Sequence, residues 1–202
     1  MPSWSGENPN SETKEQSPIK AAGVFIWDLV KIFIIALIII VPFRIFVAEP
    51  FVVSGSSMLP NFHNHDYLII DRFTYRSESP KRGDVIVMIF PKDNSQFFIK
   101  RVIGLPGDTV KFAQGKVMIY NAQNPTGFVL EENYLPKGVE TISTTPSFGP
   151  LGSDEFFVLG DNRMASSDSR FWGILPRNDI VGKVWLRVYP FSTFGTFKTP
   201  SY

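Results

Sequence analysis

The 202-residue chain contains no cysteine, so disulfides, thiol catalysis and zinc–thiolate sites are excluded together. Histidine is nearly as scarce. With only His63 and His65 present, a serine–histidine hydrolase would have to draw its base from one short polar turn. That same His-Asn-His turn lacks further ligands for a metal, and none is expected. An excess of charge is missing as well, since 20 Lys and Arg stand against 19 Asp and Glu. A net charge of +1, with no basic stretch interleaved with aromatics, argues against nucleic acid as a partner.

Long apolar runs are also few, and the longest lies near the N-terminus. Residues 1–22 are polar, rich in Ser, Pro and Glu, and read as a disordered tail. From there VFIWDLVKIFIIALIIIVPFRIFVA carries only Asp28, Lys31 and Arg44, with Ile32–Phe43 wholly apolar. A spanning helix needs roughly 20 mostly apolar residues, and long charged side chains near its ends can reach the headgroups. Residues 23–48 are therefore expected to form a single transmembrane anchor in a lipid bilayer. Phe46-Val47-Ala48 is a poor small-x-small cleavage site, which favours a retained anchor over a removable leader. Lys14, Lys20 and Lys31 precede the apolar run, so the positive-inside rule puts the N-terminus in the cytoplasm.

After residue 48 the pattern changes to short Val-, Ile- and Phe-rich runs. These are YLIID (67–71), DVIVMIF (84–90), FFIKRVIG (97–104), KVMIY (116–120), EFFVLG (155–160) and DIVGKVWLRVY (179–189). Turn-formers such as Pro-Lys-Arg-Gly and Leu-Pro-Gly-Asp separate them. Residues 49–202 are expected to form one mostly β, largely antiparallel domain.

Three stretches carry candidate chemistry. Ser54-Gly-Ser-Ser-Met-Leu-Pro60 offers three hydroxyls, in a plain turn or at the mouth of a site. On a strand, Lys100 shares a face with Phe98 and Val102, while Arg101 faces the other way. Desolvation there would lower the lysine pKa and make it a general base, which a guanidinium cannot be. The alternative is an ordinary surface lysine on an edge strand. Third, Gly160-Asp-Asn-Arg-Met-Ala-Ser-Ser-Asp-Ser-Arg170 alternates in sign at Asp161, Arg163, Asp168 and Arg170. It is either a solvated loop or one ordered by ion pairs that presents Ser166 or Ser167.

An anchor, then the serine box, Arg-Gly-Asp-Val (82–85), Lys-Arg-Val-Ile-Gly-Leu-Pro-Gly-Asp (100–108) and the 160–170 box, in that order, resembles the bacterial type I signal peptidases. The likeness runs from about residue 25 to 190. It implies the signal-peptidase-like β fold shared with LexA-type repressors, and a membrane-bound serine endopeptidase of the cytoplasmic membrane with its catalytic domain outside. By the resemblance Ser57 is the nucleophile, Lys100 the general base and Ser166 the hydroxyl that orients the lysine. Asp161, Asp168 and Arg170 match residues that brace the site. Val53, Ser54 and Gly55, with Phe98 and Ile99, match segments flanking the substrate, and Phe62 matches an apolar wall of its pocket. No cofactor is implied. The implied partners are preproteins bearing signal peptides cut after Ala-x-Ala-type sites, with the export translocon as a further candidate. The sequence departs from the pattern at Gly55, where some members place an oxyanion-hole serine, at Asn61, and at Met164-Ala165. A self-cleaving repressor would need a DNA-binding N-terminal domain where this chain has an anchor. A binding module that does not cut would need neither Ser57 nor Lys100.

Overall fold

Helix α1 (Pro18–Phe46) opens on a proline, whose fixed φ and missing N–H suit the first helical turn. The computed structural model describes residues 18–46, 48–197, 199–200 and 202. The expected tail thus lies outside the described residues up to position 17, while residues 18–22 already belong to the helix. Within it, Ala22–Val41 are long and apolar enough to cross a membrane, roughly 30 Å at 1.5 Å per residue. Its large apolar side chains are exposed from Val24 to Val41, the surface that a lipid-facing helix presents. Asp28 and Lys31, one turn apart, pair at 3.0 Å.

Residues 43–202 form a separate compact unit. Its strands are β1 (Ala48–Val52), β2 (Tyr67–Asp71), β3 (Val85–Phe90), β4 (Asp93–Gly104), β5 (Thr109–Ala113), β6 (Lys116–Tyr120), β7 (Phe128–Val129), β8 (Ser147–Phe148), β9 (Glu155–Leu159), β10 (Leu175–Pro176), β11 (Ile180–Tyr189) and β12 (Gly195–Thr196). Two one-turn helices, α2 (Thr74–Ser77) and α3 (Ser169–Trp172), punctuate them. The larger sheet runs β1-β2-β11-β3-β4-β9-β10, with β12 beside β11, and its ladders are antiparallel. The smaller sheet runs β7-β6-β5-β8.

The continuous apolar run of β3 follows from its place in the middle of the large sheet. Val85 and Val87 face one core with Val53, Met58, Phe62, Leu68, Ile70 and Ile99. Ile86 and Met88 face the other, with Val102, Phe156, Val158 and Leu175. A strand covered on both faces has no polar alternation. β4 is likewise interior. It pairs with β3 over residues 97–101 and with β9 only from Arg101 onward. The stretch 97–100 therefore keeps one edge without a strand partner among the described residues. That edge is where the site forms. The far end of β4 joins a third core, in which Ile103 packs with Val110, Val117, Ile119 and Leu151 under the small sheet.

Candidate active site

The serine turn leaves β1 at Val52 and is fixed by local backbone bonds. Val53 donates to the Asp66 carbonyl at 2.9 Å and accepts from His65 at 2.8 Å. Gly55 has φ +94, a region costly for any residue with a Cβ, and its N–H donates to Asn64 Oδ1 at 2.9 Å. Beyond it Met58 is buried in the core, so the backbone that carries Ser57 is anchored from below. This separates the three hydroxyls. Ser54 and Ser56 are exposed, whereas Ser57 is half-buried and turned to the open edge of β4.

Lys100 is 2% exposed. Its Nζ lies 2.9 Å from Ser57 Oγ and donates to the Ile99 carbonyl at 2.9 Å. The Phe98 ring sits on the same side, 5.1 Å from Nζ to the centroid. Burial disfavours the ammonium and brings the Lys100 pKa down to about 8, although Asp168 and Asp161 pull the other way. The alternative of an ordinary surface lysine falls because the Lys100 side chain is enclosed, even though the strand carrying it has one open edge there. Of the described buried cations, Lys100 alone has no carboxylate at salt-bridge distance. Arg101 holds Asp161, Arg163 holds Glu132, Arg170 holds Asp168 and Arg187 holds Asp66.

The 160–170 loop is ordered by these pairs. Asp161 accepts from Arg101 Nε at 2.8 Å and Nη2 at 2.6 Å, and from Asn61 Nδ2 at 2.8 Å. Asp168 caps α3, accepts the Gly160 N–H at 3.0 Å, and takes both Nε and Nη2 of Arg170 at 2.8 Å. The loop is tied to the serine turn by Asn162, whose N–H donates to the Ser57 carbonyl at 3.0 Å and whose Nδ2 donates to the Ser56 carbonyl at 3.1 Å. Ser166 is buried, and its Oγ has no hydrogen-bond partner among the described residues. Gly160 makes room for it, since a Cβ there would fall 2.1 Å from Ser166 Oγ and 2.5 Å from the Ser57 carbonyl oxygen.

A cleft of about 270 Å³ opens over the pair, lined by Val53, Ser54, Gly55, Phe98 and Ile99 as well as Ser57 and Lys100. Phe62 is elsewhere. It is fully buried beneath the turn, its ring centroid 4.5 Å from that of Phe197 in a tilted pair and beside the Arg187 guanidinium, and it does not line this cleft. An apolar residue five positions after Ser57 in a polar turn is drawn into the core rather than the pocket wall. His63 and His65 are exposed on that turn. Sequence reading missed Arg101, Glu132, Tyr134 and Asn162 as parts of the site. Their partners lie 29 to 106 residues away, beyond any local pattern.

Removing one half of a buried pair leaves the other charge without compensation. Asp161→Ala is therefore expected to destabilise the domain by roughly 3–5 kcal/mol. Urea unfolding checks this, and a loss under about 1 kcal/mol would mean the pair is no more than a surface contact.

The chain also matches known proteins along most of its length. A family model described as signal peptidase, peptidase S26, matches residues 26–189. A probable signal peptidase I-2 of Synechocystis sp. is 36% identical over 200 residues, covering 94% of this chain and 84% of its own length. A signal peptidase I of Leptolyngbya laminosa is 36% identical over 94% of this chain and 89% of its own. A signal peptidase I P of Bacillus subtilis subsp. natto is 35% identical over 81% of this chain and 89% of its own. The chain belongs to the signal peptidase family, peptidase S26.

Proposed function

We propose that this protein is a membrane-anchored serine endopeptidase that removes signal peptides from exported preproteins, using Ser57 and Lys100 as a dyad. The observation that carries the reading is the 2.9 Å contact between Ser57 Oγ and a buried lysine whose pKa is held near 8.

Neutral Lys100 takes the proton from Ser57 Oγ as the oxygen attacks the scissile carbonyl. The Ser57 backbone N–H is the first donor to the developing oxyanion. The tetrahedral intermediate collapses with transfer of that proton to the departing amine, the new N-terminus of the mature protein. An ester between Ser57 and the signal peptide remains. Lys100, neutral again, deprotonates a water that cleaves this ester and restores the hydroxyl. Ser166 Oγ, buried and without a hydrogen-bond partner among the described residues, is the hydroxyl left free to accept from Lys100 during the reaction rather than at rest. Asp161, Asp168 and Arg170 hold the loop that carries it.

The substrate enters as an extended strand along residues 53–57 and the open edge at 97–100, its main chain pairing with the enzyme backbone. Alternate side chains then point into the cleft, which favours small residues one and three positions before the cut, an Ala-x-Ala pattern. The anchor places enzyme and signal-bearing substrate in one bilayer and raises their effective concentration. In this reading residues 1–22 are cytoplasmic, the anchor of residues 23–48 crosses the cytoplasmic membrane, and residues 49–202 work outside, where chains leave the translocon.

Purified wild-type protein in lipid is expected to cut an Ala-x-Ala precursor after the second Ala, and Ser57→Ala and Lys100→Met to lose this cutting. Cutting by Ser57→Ala at the wild-type rate would rule out the nucleophile. Since the neutral amine is the active form, kcat/KM should rise with pH through an apparent pKa near 8 and level off above it. A rate still climbing toward the ordinary lysine value of 10.5 would contradict a buried base. Topology is testable because the chain has no native cysteine. A membrane-impermeant maleimide should label Ser95→Cys in spheroplasts and Ser11→Cys only after lysis; the opposite pattern would invert the proposed orientation.

A further inference from the structure

The loop that leaves β7 and returns to β8 belongs by sequence to the small sheet. Two of its side chains nevertheless reach the three segments that carry Ser57, Lys100 and Ser166. Glu132 binds Arg163 with both carboxylate oxygens, one of them at 2.9 Å, and also accepts the Tyr134 hydroxyl at 2.6 Å. Arg163 passes this hold to the 160–170 loop, because its Nε donates to the Gly160 carbonyl at 3.0 Å. Gly160 is the residue against which both Ser166 and the Ser57 carbonyl are packed. Tyr134 reaches the other two segments. Its ring lies 3.9 Å from the guanidinium of Arg101, the residue after Lys100 on β4. Its backbone carbonyl accepts from Asn61 Nδ2 at 2.9 Å, four residues after Ser57.

We propose that Glu132 and Tyr134 are positioning residues for the Ser57–Lys100 pair, locking the serine turn, β4 and the 160–170 loop at one point behind the site. The proposal rests on the dyad reading above. Neither residue lines the cleft, so neither touches substrate. Their effect runs through Arg101, Asn61 and Arg163. A guanidinium over an aromatic face and a bidentate carboxylate are both directional contacts, and they set where a backbone lies more narrowly than apolar packing does. A shift of about 1 Å between nucleophile and base can cost on the order of 100-fold in rate. Loosening this lock should therefore appear in kcat and leave substrate binding at the cleft intact.

The test compares kcat and KM on an Ala-x-Ala precursor for the full chain in lipid, with thermal unfolding recorded alongside. Tyr134→Leu is expected to lower kcat roughly 10-fold or more with KM within about twofold of wild type. Tyr134→Phe, which keeps the ring over Arg101, should retain kcat to within about threefold. Glu132→Gln, close in shape, tests the Arg163 arm without leaving a cavity and should also lower kcat at constant KM. Leu151→Ala, in the small-sheet core, serves as a control for lost stability alone. Wild-type kcat in folded Tyr134→Leu or Glu132→Gln would overturn the proposal. So would an equal loss of kcat in Leu151→Ala at a matched unfolding midpoint. Cutting by Ser57→Ala in the same assay would instead sink the dyad reading, and this proposal with it.

Discussion

A lysine ammonium taken out of water without a carboxylate beside it is an unfavourable group, and much of this domain is arranged around keeping one there. Lys100 meets Ser57 Oγ and a backbone carbonyl, both neutral. The four buried arginines among the described residues each hold a carboxylate, and two of those acids, Asp161 and Asp168, are the ones whose charge reaches the lysine. If Asp161 or Asp168 were free to turn to Lys100, the ion pair would raise its pKa and keep it charged near neutral pH. The arginines thus have two effects at once. They order the loop, and they keep two carboxylates occupied.

The same economy explains why the site sits where three segments meet rather than on one element. Ser57 comes from a turn anchored by Met58, Lys100 from a strand covered on both faces, and Ser166 from a loop held by bidentate pairs. Rigid placement of reacting atoms needs supports whose own side chains are locked. The open edge of β4 at 97–100 lies beside Ser57 and has no strand partner among the described residues, so an extended chain added there would displace no existing pairing.

The strand runs were legible because their apolar patterns reflect burial that holds along the whole element. The segments 67–71 and 116–120 coincide with β2 and β6, and the unbroken run at 84–90 marks the doubly covered β3. β1 was hidden because it follows the anchor after a single residue, and the two-residue strands are too short to carry a period. The facing of Lys100 with Phe98, against Arg101 with Ile99, was readable from alternation alone. Ion-pair partners were not. Alternating signs at 161, 163, 168 and 170 suggest neighbours pairing locally, yet only Asp168 and Arg170 do so. Asp161 reaches Arg101, 60 residues back, and Arg163 reaches Glu132, 31 residues back. Such choices are set by which strands become neighbours, which no local pattern contains. Phe62 lies outside the cleft because it packs into the core with Met58 and Leu68 nearby and with Phe197 and Arg187 from the far end of the chain, contacts that no local pattern shows.

The central claim is that Lys100 is a base at neutral pH because the fold buries it, and this can be read on the lysine itself. Selective ¹⁵N or ¹³C labelling of lysine in Ser57→Ala, with Lys100→Met to assign the signal, would follow its protonation by NMR across pH. The account predicts a midpoint near 8. A midpoint near the ordinary 10.5 would contradict it, whatever the protein cleaves.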